Sequence, residues 1–428
     1  MIWLGSLFFF TLILGVPIAF VLGISGLGYV LMTDQTRFLV ALPQRMVAGM
    51  DQFVLLAIPL FVLAGSIMDV GGLTSRLVGL ANSVVGRFRG GLSLTAVWGA
   101  FLFGGVSGSA AADAAALGTV LVPDMKRQGY DPDYSAALIA VSSLMAPLVP
   151  PSIAMIIYGA LSGTSISQLL IAGIVPGVLL ATILSFYAIY IARRENYPRA
   201  QALPMAEITR NAVQALPVML LPVIIVVGIR GGVFTATEAA AVAAIYALLV
   251  SGLVYRALSW RFLRQALLST AIISSAIYIL IAMANIASFI FALEQLPQKA
   301  VAGLTGLTDN PYLILLMVNL ILLVLGMFLD TIGVLILTVP ALTAIGTTLG
   351  MDPVHLGVMV VFNVLIGFVT PPVGLCLFVI AGVTGRPMEL IALKALPMLG
   401  LAFIVLAIIT LLPDIVLFLP RAIAGGGA

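Results

Sequence analysis

From Leu92 to Met125 the chain reads LSLTAVWGAFLFGGVSGSAAADAAALGTVLVPDM, an apolar run whose only charges are Asp113 and Asp124. As one straight α-helix this run would measure about 50 Å at 1.5 Å per residue, against a hydrocarbon core of about 30 Å. It must therefore break or fold back. Its middle, Gly104-Gly105-Val106-Ser107-Gly108-Ser109, is poor helix material made of small residues that permit tight turns and close backbone approach. Basic residues flank it on both sides, Arg87 and Arg89 before, Lys126 and Arg127 after. If both joints face the cytoplasm, the run enters and leaves on one side, as a re-entrant hairpin with its tip at the glycine-serine stretch.

The rest of the sequence supports a membrane setting. Of 428 residues, 62% are hydrophobic and 8% charged, and the mean hydropathy is +1.24. That excludes a soluble globular protein. The 23 prolines and 42 glycines point to helices interrupted on purpose, as in carriers and channels. A net charge of +3 with no dense basic cluster gives nucleic-acid binding no support. A single cysteine, Cys376, excludes an internal disulfide and a thiolate metal cluster. Met1 to Tyr29 lacks a basic leader and is too long for a signal-peptide core, so it reads as a spanning segment.

Further apolar runs lie at about 2–32, 53–85, 134–162, 167–192, 212–229, 236–255, 268–296, 312–349, 354–384 and 390–418. With the first hairpin's joints inside, thirteen of the nineteen Lys and Arg residues fall on the cytoplasmic side. Five fall outside (Arg37, Arg45, Arg230, Lys299 and Arg421), and Arg76 lies within a helix. The expected topology has a cytoplasmic N-terminus, a periplasmic C-terminus, nine crossings and two hairpins, in a bacterial inner membrane.

Sliding the chain against itself by 221 residues pairs Asp131-Pro132 with Asp352-Pro353, Pro150-Pro151 with Pro371-Pro372, and Pro176 with Pro397. The same offset pairs Ser109 with Asp330 and the run 92–125 with 313–346, which predicts a second hairpin interrupted near Gly326. Counting crossings makes the two halves upside-down copies. The expected fold is an all-α polytopic membrane protein of two inverted repeats, each with a re-entrant hairpin and a broken helix. The first repeat covers 1–193 (arm 35–50, hairpin 92–125, broken helix 134–162), a connecting segment with one spanning helix covers 194–233, and the second repeat covers 234–428 (arm 256–268, hairpin 313–346, broken helix 354–384). The arms read as interfacial amphipathic helices.

Broken helices at membrane depth free backbone groups that only protein, water, ions or cargo can satisfy. Freed carbonyls beside Ser, Thr and Asp oxygens suit a hard cation such as sodium, and freed N–H groups at half-helix starts suit an anion. The cation candidates are Ser107, Gly108 and Ser109 facing Val149, Pro150 and Ser152, and Asp330 and Thr331 facing Thr370 and Pro371. Plainer readings stand beside these. Residues 107–116 also fit a close helix-packing surface, Asp330 a half-helix cap, and Pro150-Pro151 a kink. Asp69 and Asp113 read as packed against local donors or a cavity, His355 as solvated at an outer helix start, and Glu238 after Thr235 as a capping box.

On these residues the chain resembles the large membrane subunit of tripartite ATP-independent periplasmic (TRAP) transporters over nearly its whole length. The resemblance is carried by Ile58-Pro59-Leu60-Phe61, Gly71-Gly72-Leu73, Gly86-Arg87-Phe88-Arg89-Gly90-Gly91, Ser107-Gly108-Ser109, Gly129-Tyr130-Asp131, Pro150-Pro151-Ser152, Gly231-Gly232-Val233-Phe234-Thr235, Leu329-Asp330-Thr331 and Thr370-Pro371-Pro372-Val373-Gly374. It implies a sodium-driven secondary importer of organic acid anions with an elevator-type transport domain on a scaffold. It also implies two partners, a smaller four-helix membrane subunit and a soluble periplasmic substrate-binding protein. The implied anion contacts are Ser109, Ser152, Thr370 and Cys376, the last standing where the family often has Asn.

Other functions are less consistent with the sequence. A stand-alone sodium and divalent-anion symporter would share the inverted repeats and differ in not needing a binding protein. A channel built from rings of identical subunits sits poorly with pseudo-symmetry inside one chain. An intramembrane hydrolase needs a base near Ser107 or Ser109, and the one histidine, His355, lies in the other half. No Gly-x-x-x-x-Gly-Lys occurs, which speaks against ATP hydrolysis by this chain. The sequence leaves the anion open among C4-dicarboxylates, sialic acids and related carboxylates.

Overall fold

A computed structural model describes residues 2–70, 72–199 and 203–424. Among these the chain is all helix, with one isolated bridge between Arg89 and Arg199. In chain order the first helices are α1 (Ile2–Ile13), α2 (Ile18–Met32), α3 (Ala41–Met50), α4 (Ala57–Val70) and α5 (Leu73–Val85). Then come α6 (Gly91–Ser107), α7 (Ala110–Arg127), α8 (Pro132–Ser142), α9 (Ile153–Ser162), α10 (Ile166–Ala172), α11 (Ile174–Arg194) and α12 (Met205–Arg230). The remainder are α13 (Ala236–Leu249), α14 (Trp260–Leu293), α15 (Leu296–Leu307), α16 (Pro311–Phe328), α17 (Thr331–Thr348), α18 (Pro353–Gly367), α19 (Leu375–Thr384), α20 (Met388–Leu411) and α21 (Pro413–Ala424). Among the described residues seven helical stretches are long and apolar enough to cross a bilayer, with α10 and α11 counted as one, or up to nine if each of two bent pairs counts as one span.

The run 92–125 folds back. It divides into α6 and α7, which pack on each other, and the chain leaving α7 returns to the start of α6: the Tyr134 hydroxyl, in the first turn of α8, bonds Ser93 Oγ at 3.4 Å. Helix stops at Gly108-Ser109, where Gly108 takes φ 61° and Ser109 caps α7 through Ala112 N–H. Gly104 and Gly105 stay helical. They admit the backbone of Ala146 and the ring of Pro222, so their smallness serves contact and not the turn. The second hairpin breaks at Leu329-Asp330, three residues beyond the expected Gly326, and its ends also meet, with Ile314 beside Ile345 and Leu349 around one small cavity.

Several expectations are corrected. The run 2–32 is not one spanning segment; Gly15 (φ 76°) and Pro17 divide it, and α2 returns along α1 so that Gly28 lies on Leu7. The run 53–85 divides into α4 and α5 at Gly72 (φ 71°), while its neighbour Gly71 lies outside the described residues. The arm 35–50 is present as a short 3₁₀ turn and α3, bent 55° from the following helix. The arm 256–268 is not separate, because Trp260 to Leu293 contains neither Gly nor Pro and runs on as one 34-residue helix. The run 390–418 breaks before Pro413. Helix α15 was not foreseen.

Burial separates two packing groups. Helices α2, α3, α4, α13 and α14 pack on one another, and the two hairpins pack on α8, α9 and α18. Every residue of α8 from Asp133 onward and of α18 from Val354 onward is buried. A helix apolar on all sides belongs inside, and these two form the centre around which the hairpins close.

Candidate functional site

The first hairpin tip touches the first break. Helix α8 tightens into a 3₁₀ turn over Ser143–Leu148, becomes extended at Val149, and resumes as α9, bent by 45° overall. Ser152 caps α9, accepting from Met155 N–H at 3.2 Å while its hydroxyl donates to Pro147 O. Gly108 sits so close to the Pro151 carbonyl that no side chain fits between them, and a Cβ on Gly105 would lie 3.4 Å from Val149 and 3.6 Å from Pro150 O. Gly105 and Gly108 thus lie against Val149, Pro150, Pro151 and Ser152, while the hydroxyls of Ser107 and Ser109 bond within their own hairpin.

Asp113, read above only as packed against a local donor or a cavity, belongs to this tip. It is fully buried, accepts the Ser107 hydroxyl at Oδ1, and its Oδ2 has no hydrogen bond among the described residues. Ser109 N–H also reaches Ser107 Oγ at 3.2 Å. The signal was present in the spacing: Asp113 falls on the same face of α7 as the buried Ala110, Ala114 and Leu117. Asp69 instead accepts from Thr74 Oγ1 at 3.3 Å, the local donor expected for it.

The second tip meets the second break through backbone. Gly326 and Gly367 approach so closely that a Cβ on Gly326 would lie 2.9 Å from Val364 O, and Gly374 N–H reaches Met327 O at 3.4 Å. Asp330 caps α17 through Gly333 N–H at 3.3 Å, as the plainer reading has it, and Thr331 is the first residue of that helix. Thr370 donates to Ile366 O at 2.7 Å, and Pro371 is half-buried. No hydrogen bond among the described residues joins Asp330 or Thr331 to Thr370 or Pro371. Cys376 is fully buried, its N–H closing the break on Phe368 O at 3.1 Å.

The two broken helices run in opposite directions. At one end Asp133, opening α8, pairs with Arg386, just past α19. At the other end Tyr158, on α9, covers Gly357, near the start of α18. His355 is corrected from solvated to buried, because α20 packs across the start of α18 and Ile409 O takes its Nε2 at 2.7 Å. A second buried polar feature escaped the sequence reading. Asn363, fully buried on α18, donates to Asn319 Oδ1 at 2.6 Å and Asn319 O at 2.9 Å, tying the second hairpin to its broken helix. The Thr235–Glu238 capping box is present.

Many apolar helices, two fold-back hairpins and two helices that unwind beside the hairpins define a polytopic membrane transporter. Its backbone resembles the crystal structure of the Alcanivorax borkumensis YdaH transporter, at a TM-score of 0.61 and 16% identity over 88% of this chain and 89% of that one. Residues 5–415 match the DctM component of the tripartite ATP-independent periplasmic transporter, and the chain belongs to this family of transporter permeases, which are not enzymes. It is 37% identical to the sialic acid TRAP transporter large permease protein SiaM of Vibrio cholerae, over 99% of this chain and 98% of that protein. It is 38% identical to the C4-dicarboxylate large permease DctM of Pseudomonas aeruginosa, over 94% and 93%. An isethionate TRAP transporter permease protein, DctMQ of Oleidesulfovibrio alaskensis, is 35% identical over 95% of this chain and 64% of that longer protein.

Proposed function

We propose that the chain imports an organic acid anion by sodium symport. One sodium ion lies at each meeting of hairpin tip and break, and the anion lies between the tips. The observation that carries this reading is the pairing of each tip with an unwound stretch, in two units whose broken helices run oppositely, at the positions related by the 221-residue offset. At the first tip the cation ligands are oxygens of Ser107, Gly108 and Ser109 with carbonyls of Val149 and Pro150 and the Ser152 hydroxyl, and Asp113 adds negative charge. At the second they are Asp330 and Thr331 with Thr370 and Pro371. Hard oxygen donors and freed carbonyls suit sodium.

Sodium at each tip fixes the hairpin against its break and completes the anion site, in which Ser109, Ser152, Thr370 and Cys376 contribute. The body formed by α6–α9 and α16–α20 then slides against the scaffold of α2–α4 and α12–α14, as an elevator of two inverted repeats. The C-terminus is periplasmic, in a bacterial inner membrane, and because α2 returns along α1 the N-terminus lies on the same side as α3. A smaller four-helix membrane subunit and a periplasmic substrate-binding protein complete the transporter. Its cargo on this reading is a small organic acid such as a sialic acid or a C4-dicarboxylate, a reading supported by the substrates in the names of the relatives.

The test is uptake into proteoliposomes containing the small subunit, with the binding protein added. Ser109→Ala and Asp330→Ala should each raise the sodium concentration giving half-maximal uptake by about tenfold, the effect of losing one charge-assisted ligand. Unchanged sodium dependence in both variants defeats the site assignment.

A further inference from the structure

Two ion pairs lie side by side at one end of the sliding body, and both bridge its two halves. Arg386 grips Asp133 with two bonds, Nε to Oδ1 at 2.6 Å and a terminal nitrogen to Oδ2 at 2.8 Å. Lys394 Nζ stands 2.6 Å from Asp131 Oδ2. Both aspartates open α8, Arg386 lies in the turn between α19 and α20, and Lys394 lies on α20. The Asp133 side chain is only 12% exposed and that of Arg386 37%. Tyr130 and Tyr197 stack beside them with ring centres 4.1 Å apart, and Tyr197 accepts Asp131 N–H.

Among the described residues the opposite end of the body has no ion pair between its halves. The 221-residue offset places Val354 opposite Asp133, Ser165 opposite Arg386 and Gly173 opposite Lys394. There the halves meet through Tyr158 on Gly357, while His355 is held by the Ile409 carbonyl. Of the four charges the repeat copies only Asp131, as Asp352, which caps α18 through the N–H groups of Val354 and His355; the other three stand at one end only. Packing alone asks for no such asymmetry, since the opposite end closes on Tyr158 and Gly357 without an ion pair between the halves.

We infer that Asp131–Lys394 and Asp133–Arg386 are a charge-cancelling cap that lets this end of the body enter the bilayer during sliding. The inference rests on the elevator reading above. The end carrying the cap also holds Lys126, Arg127, Arg193 and Arg194, the side assigned to the cytoplasm. As the body moves outward, every charge on it is drawn toward hydrocarbon, where an unpaired ion is costly. Lys126 and Arg127 are exposed, and their long stems let the charged groups reach back to the headgroups. Asp133 has no such reach. Enclosed as it is, it enters the membrane cheaply only with Arg386 attached.

This predicts unequal effects from the two halves of one pair. In proteoliposomes with the small subunit and binding protein, Arg386→Gln leaves Asp133 unpaired and should lower maximal uptake by at least about tenfold. Asp133→Asn leaves Arg386 free to reach the headgroups and should cost only about threefold. The double variant Asp133→Asn/Arg386→Gln carries no charge and should return to within about threefold of the parent. Half-saturating sodium should stay unchanged in all three. A double variant as slow as Arg386→Gln, or Arg386→Gln at the parent rate, overturns the inference. In parallel, Gln128→Cys, exposed between α7 and α8, is labelled with a membrane-impermeant maleimide with and without sodium and cargo. Labelling that does not respond overturns the elevator reading and this inference together; responsive labelling with a slow double variant overturns the inference alone.

Discussion

Gly108→Ala separates the two reasons for a glycine at the first tip. Its φ of 61° strains any residue with a Cβ by about 1 kcal/mol. The added carbon would also strike the Pro151 carbonyl, with the Ser152 Cα 3.6 Å away. These are backbone atoms of the break, which cannot swing aside as a side-chain end does, and overpacking of this kind costs about 1 to 3 kcal/mol. Gly163→Ala supplies the control, since Gly163 has φ 71° with nothing within 4 Å of the added carbon. Both variants should lose about 1 kcal/mol of thermal stability from strain. Only Gly108→Ala should push the tip from the break, raising half-saturating sodium by about tenfold if 1.4 kcal/mol of the collision is felt by the site. The assay is sodium-dependent uptake in proteoliposomes alongside thermal unfolding in detergent. If both variants fold and show the same sodium dependence, contact between tip and break does not build the cation site.

Asn363→Leu removes both bonds to Asn319 and should lower stability by about 1 to 2 kcal/mol. Replacing both asparagines by Leu should cost less than the single change, because no lone polar group is left behind; thermal unfolding in one detergent compares them. His355→Phe strips the partner from the Ile409 carbonyl and should cost about 1 to 3 kcal/mol on the same measurement, whereas a solvated histidine would cost almost nothing. Burial raises the Asp131 carboxyl, but Lys394 and the N–H groups of Asp133 and Tyr134 outweigh it and hold it below the ordinary 3.8. A depressed folded value gives stability that is present above the unfolded value and lost as pH falls through the folded one. The stability gap between parent and Asp131→Asn should therefore be constant from about pH 5 to 8 and shrink below about pH 4. A gap that changes between pH 5 and 8 contradicts this pairing.

What the sequence made legible was set by length against membrane thickness. Residues 92–125 are too long for one crossing and contain weak helix formers in the middle, so the fold-back followed. The same arithmetic applies to 2–32 and 53–85, whose breaks lie at Gly15 before Pro17 and at Gly72 within Gly71-Gly72-Leu73-Thr74-Ser75. Glycine density also made the expected breaks start earlier than the observed turns. Gly104 and Gly326 are glycines because another backbone lies against them, and the chain turns later, at Gly108-Ser109 and at Leu329-Asp330. The burial of His355 and the Asn319–Asn363 bond depend on which helices pack together, which no single segment encodes.

The two tips are not chemically equivalent, and this bears on the proposed order of binding. The 221-residue offset pairs Asp330 with Ser109 and Asp113 with Val334, so neither carboxylate is copied by the repeat. Yet each half-helix start has one. Asp330 caps α17, and Asp113 lies one turn into α7, tied to Ser107 just before the break. An anionic group there is favoured by the exposed N–H ends of the helix, and its charge attracts a cation to the same spot. In ionised form, both tips empty would carry two negative charges beside the place where an anion must bind. A monovalent cation at each tip cancels them. On the proposed reading, sodium therefore binds before cargo for an electrostatic reason: the anion meets a repulsive site until both tips are filled and an attractive set of N–H ends afterwards.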